Sequence, residues 1–106
     1  MIEQLTPAEY LARAAAGELW QLVDVREAWE VETASVRDAI HIPLRELPSR
    51  AGELDASQPV AFLCHSGGRS ARAAEFCAAQ GFARVANIAG GIDAWAATVD
   101  PDLPRY

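Results

Sequence analysis

The stretch AFLCHSGGRSARAAEF, residues 61–76, joins an apolar run to an alanine-rich segment through a short polar loop. The run PVAFLC, residues 59–64, hardly alternates between apolar and polar side chains, which is typical of a strand buried on both faces. From about Ser70 onward the composition favours a helix, which Gly81 ends. The stretch therefore predicts a strand, a loop and a helix, with Cys64 where the strand stops.

Strands and helices alternate on both sides of this stretch. A first helix is indicated by Thr6 as N-cap, Pro7 at its first position and Glu9 completing a capping box, and it ends at Gly17. Further strands are predicted over 19–25, 39–43 and 83–90, and further helices over 26–35, 44–50 and 91–97. This order predicts an α/β domain whose parallel sheet carries helices on both faces.

Length and composition limit the classes of protein that this chain can represent. Its 106 residues predict a single domain over 1–106, with a polar, proline-containing tail at 98–106. The net charge of −6 argues against nucleic acid and anionic membranes as partners. The chain opens without a basic leader or a long apolar segment and contains two cysteines, so we expect a cytoplasmic protein with reduced thiols.

The residues after Cys64 have the features of an anion-binding loop. Ligands of open parallel sheets bind beyond the carboxyl ends of the strands, where Cys64 is expected. Gly67 and Gly68 permit backbone conformations that turn successive N–H groups toward one point, and the following helix adds the positive end of its dipole. A thiolate in this setting, near Arg69, has a depressed pKa, so we interpret Cys64 as a nucleophile that carries a second sulfur as a persulfide.

Each of these residues also has a structural interpretation. Cys64 alone would suit a buried, inert thiol, and Arg69 a solvated charge, although a cation at a helix N-terminus is unfavourable unless an anion lies nearby. His65 either adds positive potential or points outward. Cys77 shares a helix face with alanines and is interpreted as packing. The histidine and cysteine spacing makes a poor metal site, and no metal or other cofactor is expected.

Three further polar residues are assigned supporting roles. We expect Ser70 to be the N-cap of its helix, with a hydroxyl that satisfies backbone donors. Asp24 and Arg26 follow the second predicted strand, at the same sheet edge as the cysteine loop. The sequence favours a buried Asp24 that hydrogen-bonds the loops, and leaves Arg26 as its partner or as a substrate contact.

Three segments together resemble the single-domain rhodanese, or thiosulfate sulfurtransferase, family: LVDVREAWE at 22–30, CHSGGRS at 64–70 and ARAAEFCAAQGFARVANIAGGIDAWAA at 71–97. The resemblance covers the chain from about Thr6 to Ala97. It implies a parallel sheet of about five strands flanked by helices, and a catalytic Cys64 that takes the outer sulfur of thiosulfate or a similar anion and passes it to cyanide or a thiol. The residues matched to the persulfide-binding loop are His65, Ser66, Gly67, Gly68, Arg69 and Ser70.

The chain departs from the family in one connection. Relatives carry Gly-His-Ile-Pro-Gly-Ala ahead of a strand, where this chain has Ala34, Ser35, Val36, Arg37, Asp38 and Ala39. The turn glycines and the histidine are therefore absent, which puts the shape of this connection in question but leaves the cysteine loop intact.

Three functional hypotheses remain open from the sequence. The first two, an enzyme moving sulfane sulfur and a persulfide carrier serving a protein donor or acceptor, would use the same residues. The third is a binding module without chemistry, which the resemblance implies for relatives that lack the cysteine and which the presence of Cys64 disfavours. A cysteine phosphatase is a separate alternative and is also disfavoured, because such enzymes place five residues between cysteine and arginine, and four separate Cys64 from Arg69. The physiological donor and acceptor, the oligomeric state and the pathway are not indicated by the sequence.

Overall fold

The fold is built on a parallel sheet of five strands, seen in a computed structural model that describes residues 2–106. The strands are β1 (Ile2–Leu5), β2 (Gln21–Asp24), β3 (Ile40–His41), β4 (Val60–Leu63) and β5 (Val85–Ile88), in the spatial order β1-β5-β4-β2-β3. The α-helices are α1 (Pro7–Ala15), α2 (Ala28–Thr33), α3 (Leu47–Arg50), α4 (Gly68–Ala79) and α5 (Gly91–Thr98), and 3-10 turns at Leu44–Glu46 and Ala51–Glu53 flank α3. The predicted α/β architecture is confirmed.

The first helix begins as its capping signal predicts. The Thr6 hydroxyl accepts the Glu9 N–H at 3.1 Å, and the Glu9 carboxylate accepts the Thr6 N–H at 2.8 Å. The sequence analysis missed β1, which precedes this helix and pairs in parallel with β5 from Ile2↔Val85 to Leu5↔Ile88. Four residues before a strong helix signal are too few for an alternating pattern to stand out.

Side chains on the two faces of the sheet form two apolar layers. Because successive side chains of a strand point to opposite faces, β4 contributes Val60, Phe62 and then Cys64 to the layer beneath α4, and Ala61 and Leu63 to the layer beneath α1 and α5. All five are 0–1% exposed. This double burial explains the unbroken apolar run that predicted the strand, and it directs the Cys64 side chain toward α4.

The helix after the cysteine begins earlier than predicted. Its first residue is Gly68, and its N-cap is Gly67, whose φ of 115° lies in the left-handed region that favours glycine. The prediction that Ser70 is the N-cap is therefore wrong. Ser70 lies within the first turn and is fully buried, which leaves its hydroxyl available for the site described below.

The connection that departs from the family pattern keeps an unusual backbone at one position. Asp38 has a φ of 66°, in the left-handed region, where relatives have a glycine. Ala34, at the other lost glycine, is extended at φ −158°, a conformation open to any residue. The substitution of glycine therefore costs conformational energy at Asp38 and none at Ala34.

Over residues 2–106, no helix combines the length and the apolar character that crossing a bilayer requires. The segment after α5 does not behave as a purely polar tail, because Val99, Leu103 and Tyr106 pack against the layer beneath α1 and α5. Arg105 also pairs with Asp93 of α5, at 2.8 Å between Nη2 and Oδ1. The tail thereby returns toward the carboxyl edge of the sheet.

Candidate active site

The Cys64 sulfur lies within a ring of hydrogen-bond donors at the carboxyl end of β4. The Gly67 N–H donates to Sγ at 3.0 Å and the Ser70 hydroxyl lies 3.2 Å from it. The backbone amides of Ser66 and Ser70 also favour the anionic form of the sulfur and lower the pKa of the thiol. Cys64 is only 1% exposed, so the ring leaves a narrow approach.

These donors favour the thiolate of Cys64. Burial by itself raises the pKa of the thiol, but the hydrogen bonds from Ser70, Gly67 and Ser66 outweigh it and hold the pKa below its ordinary value. Cys77 is equally buried without such donors, and burial raises the pKa of its thiol to about 11. The pKa of the thiol is therefore shifted in opposite directions at the two cysteines, which supports different roles for them; the assignment of Cys64 as nucleophile stays a prediction.

The first turn of α5 orients the peptide groups of the cysteine loop. The Ile92 N–H donates to the Cys64 carbonyl at 2.8 Å, and the Asp93 N–H donates to the His65 carbonyl at 3.1 Å. The C=O and N–H of a trans peptide point in opposite directions. Holding the Cys64 and His65 carbonyls on α5 therefore fixes the orientation of the N–H groups of the same peptides, those of His65 and Ser66, on the side away from α5.

This contact requires glycine at the start of α5. Gly91 has a φ of 60°, and a Cβ built there would lie 2.4 Å from the His65 carbonyl oxygen and 2.5 Å from that of Cys64. At the neighbouring Gly90, with φ 77°, a Cβ would lie 2.6 Å from the Ala94 side chain. The Gly90-Gly91 pair thus allows the helix to approach the loop backbone as closely as its N–H groups require.

Ser70 is held by a buried amide from the neighbouring strand. Its hydroxyl lies 2.5 Å from the Asn87 Oδ1, and the Asn87 side-chain nitrogen donates to Gln4 at 3.0 Å and to the Gly67 carbonyl at 3.3 Å. The hydroxyl carries one proton, which it donates to Asn87 or to the Cys64 sulfur at any one time. The sequence analysis missed Asn87, although a lone asparagine inside the apolar strand VANI indicates a buried polar group that needs partners.

Arg69 is bound by a carboxylate that the sequence analysis did not identify. Its guanidinium forms a bidentate pair with Glu30 of α2, with Nη1–Oε2 at 2.7 Å and Nη2–Oε1 at 2.8 Å. Arg69 lowers the pKa of Glu30 from 4.5 to about 2, so the carboxylate is ionised at neutral pH. Its charge offsets that of the guanidinium, which weakens the expectation that Arg69 attracts a donor anion; that role stays a prediction.

Asp24 and Arg26 form a buried pair beside the loop. The carboxylate of Asp24 accepts from Arg26 Nη2 at 2.6 Å and from Nε at 2.9 Å, and the two residues are 1% and 0% exposed. The remaining Arg26 donors reach the carbonyls of Glu30 and Ala34. Of the two roles left open for Arg26, this geometry supports that of partner to Asp24. Within residues 2–106 the Asp24 carboxylate accepts side-chain hydrogen bonds only from Arg26, so the expected hydrogen bonds from Asp24 to the cysteine loop are not seen.

His65 is neither free nor directed outward. Its ring stacks on that of Tyr106, with centroids 4.3 Å apart and planes 13° apart. Tyr106 lies in the tail, 41 residues farther along the chain, and no local spacing in the sequence connects the two. Ser66 and Gly68 are exposed at the surface of the loop.

Chemically, the arrangement stabilises one negative charge on the Cys64 sulfur without an adjacent acid or base. In the cysteine loop, the Gly67 amide and the Ser70 hydroxyl are directed at the sulfur. Asp24 and Arg26 pair with each other at the end of β2, and their supporting role for the loop stays a prediction. Such a site suits attack by sulfur on an electrophilic atom whose leaving group is already a stable anion.

Known proteins resemble this chain in sequence and in structure. Residues 6–98 match the Rhodanese-like domain. A sulfurtransferase of Allochromatium vinosum is 34% identical, with 91% of this chain and 90% of that protein covered. A putative sulfur carrier protein of Bacillus subtilis is 35% identical, with 89% of this chain covered but only 51% of that protein.

The fold agrees with these sequence matches. The crystal structure of a rhodanese-like domain protein from Staphylococcus aureus superimposes with a TM-score of 0.84 at 26% identity, covering 99% of each chain. Some curated relatives are much longer, and the chain spans only 30% of one that is 41% identical. Since the match to the domain extends over residues 6–98 of 106, the chain belongs to the rhodanese-like family.

Proposed function

We propose that this protein transfers sulfane sulfur through a persulfide on Cys64. The observation that carries the proposal is the ring of donors around the sulfur, above all the Gly67 N–H at 3.0 Å and the Ser70 hydroxyl at 3.2 Å. Hydrogen bonds to an anionic sulfur stabilise the attacking thiolate. They also suit a persulfide anion, whose charge remains in the loop after transfer.

The reaction divides into two displacements that need no external oxidant or reductant. In the first, the Cys64 thiolate attacks the outer sulfur of a donor such as thiosulfate. The donor S–S bond breaks, sulfite leaves with the electron pair, and a persulfide anion remains on Cys64. In the second displacement, cyanide or a thiolate attacks the terminal sulfur of the persulfide. The bond between the two sulfurs then breaks, and Cys64 is regenerated as the thiolate.

The size of the site supports sulfur rather than phosphorus as the transferred atom. Four residues separate Cys64 from Arg69, and Cys64 is 1% exposed, which restricts the space above the sulfur. Both terminal nitrogens of Arg69 also donate hydrogen bonds to the Glu30 carboxylate. A phosphatase needs a guanidinium aimed at the phosphoryl oxygens and an acid for the leaving group.

The first test is the mass of the protein after treatment with thiosulfate. We expect the protein to gain the mass of one sulfur atom and to lose it to cyanide as thiocyanate. Cys64→Ser should abolish both steps, because the nucleophile is gone. Cys77→Ser is the matched control and should retain both, since the Cys77 thiol is buried and protonated at neutral pH. Loss of sulfur loading in Cys77→Ser alone would reverse the assignment.

A persulfide carrier is the second candidate, favoured by the similarity to the putative sulfur carrier protein of Bacillus subtilis. It shares the Cys64 chemistry but delivers sulfur to a protein. Saturable turnover of thiosulfate and cyanide supports the enzyme. Slow turnover with small molecules, together with rapid exchange of sulfur with a persulfidated protein, supports the carrier.

A further inference from the structure

The segment after α5 returns to the cysteine loop and contacts it. After α5, the segment 99–106 packs through Val99 and Leu103 against the apolar layer beneath α1 and α5. Two hydrogen bonds from Arg105, at 3.1 Å and 2.8 Å, fix it to the Asp93 carboxylate in the first turn of α5. This path places Tyr106 beside the loop.

The Tyr106 side chain contacts the site in two ways. Its ring lies flat on the His65 imidazole, with 4.3 Å between the centroids. Its hydroxyl accepts from Arg26 Nη1 at 2.9 Å and donates to Glu30 Oε1 at 2.9 Å. Tyr106 therefore joins the Asp24–Arg26 pair to the Glu30–Arg69 pair and covers the first residue of the loop.

His65 is the first residue of the loop that supplies hydrogen-bond donors to the sulfur. Two residues farther along the same loop, the Gly67 N–H donates to Cys64 Sγ at 3.0 Å. The backbone of His65 is held by the Asp93 N–H at 3.1 Å, and its side chain is held by Tyr106. Since Arg105 binds the Asp93 carboxylate, α5 and the tail restrain His65 from two sides as one connected unit.

We propose that Tyr106 is a positioning residue for the sulfur site: its ring restrains His65, so that the Gly67 amide stays directed at the Cys64 sulfur. The proposal deepens the proposed function, on which its importance for sulfur transfer rests. It assigns to the tail a part in the reactivity of the cysteine, beyond its contribution to the core.

The test measures the rate of iodoacetamide alkylation of Cys64 against pH in Tyr106→Ala and Tyr106→Phe. Loss of the ring frees His65, so Tyr106→Ala should move the midpoint of the alkylation profile to higher pH by about half a unit, which lowers the thiolate fraction about threefold at any pH well below the midpoint. Tyr106→Phe keeps the stacked ring and should retain the midpoint of the unmodified protein. The charged and titratable groups around the contact are the same in both variants: Asp24, Arg26, Glu30, His65, Arg69 and Asp93.

Tyr10→Leu separates positioning from general loss of stability. Tyr10 is buried against Trp20 and Trp95, so its substitution lowers stability without touching His65. We expect it to leave the alkylation midpoint unchanged. An unchanged midpoint in folded Tyr106→Ala overturns the proposal, as does an equal shift in Tyr106→Phe, which would assign the effect to the hydroxyl. Alkylation needs only the thiolate, so this result stands whether or not Cys64 accepts sulfur from thiosulfate.

Discussion

Replacing Gly91 by alanine tests how the loop and α5 fit together. Two separate energetic costs add when a side chain is introduced at position 91. A left-handed φ of 60° with a side chain costs about 1–2 kcal/mol. A Cβ placed 2.4 Å and 2.5 Å from the carbonyl oxygens of His65 and Cys64 forces the backbone to shift, for about 1–3 kcal/mol more. We therefore expect Gly91→Ala to lower the free energy of unfolding by about 2–5 kcal/mol.

The same substitution should impair the sulfur site in molecules that remain folded. Moving the carbonyls of Cys64 and His65 away from α5 shifts the backbone of the loop, and this shift weakens the hydrogen bond from the Gly67 N–H to the sulfur. The alkylation midpoint of Cys64 should then rise toward that of an ordinary thiol. Urea unfolding measures the loss of stability. The rate of Cys64 alkylation against pH, measured where the protein remains folded, gives the change in the midpoint.

Two other glycines serve as matched controls. Gly17 has a φ of 98° and nothing within 4 Å of a built Cβ, so Gly17→Ala carries the conformational cost of about 1–2 kcal/mol alone. Gly52 has neither restriction, and Gly52→Ala should leave stability unchanged or raise it by up to about 1 kcal/mol. A Gly91→Ala protein that is no less stable than Gly17→Ala, with an unchanged Cys64 midpoint, would refute the reasoning.

Two further predictions concern stability. The pKa of Glu30, lowered from 4.5 to about 2 by Arg69, means that its carboxylate stabilises the fold above pH 4.5 and that this contribution is lost as the pH falls toward 2. Glu30→Gln should therefore lower the free energy of unfolding by up to about 3 kcal/mol at pH 7. In urea titrations, the difference in stability between this variant and the unmodified protein should shrink as the pH falls from 4.5 to 2. A difference that stays constant with pH would contradict the assignment. Asp38→Gly should raise the free energy of unfolding by about 0.5–1 kcal/mol, because it removes a side chain from a φ of 66°. Ala34→Gly, at an extended position, should show no such gain, and a gain at both positions would remove the conformational explanation.

The parts of the fold that depend on neighbouring residues could be predicted from the sequence. The unbroken apolar run of β4 follows from burial on both faces, and the capping box of α1 needs only residues three apart. The cysteine loop belongs to the same class, because its glycines, the strand end and the helix start lie within a few residues. These local signals sufficed to predict the α/β class and the position of Cys64.

The parts of the site that depend on distant residues could not be predicted in this way. Glu30 meets Arg69 across 39 positions of the chain, and Tyr106 meets Arg26 across 80. Glutamate in a helix and tyrosine in a tail each have an ordinary explanation at the surface. Only the packing of α2 and the tail against the carboxyl edge of the sheet brings them to the loop.

Ser70 shows how a local signal can mislead. A serine near a helix start is usually an N-cap, but Gly67 takes that position because its left-handed φ turns the chain more sharply than a serine would. Because the N-cap lies three residues earlier than predicted, the Ser70 hydroxyl lies inside the first turn of the helix. The residue predicted to satisfy the backbone instead places its hydroxyl 3.2 Å from the Cys64 sulfur.

The contact between α5 and the cysteine loop also limits how much the site has to reorganise during a reaction. The amide dipoles around Cys64 are fixed by bonds from Ile92 and Asp93 before any substrate arrives. Little reorganisation is then required when negative charge moves from one sulfur to the next, whereas water would have to reorient around the same ion. The backbone amides that solvate the sulfur anion are thus already in place once the chain has folded.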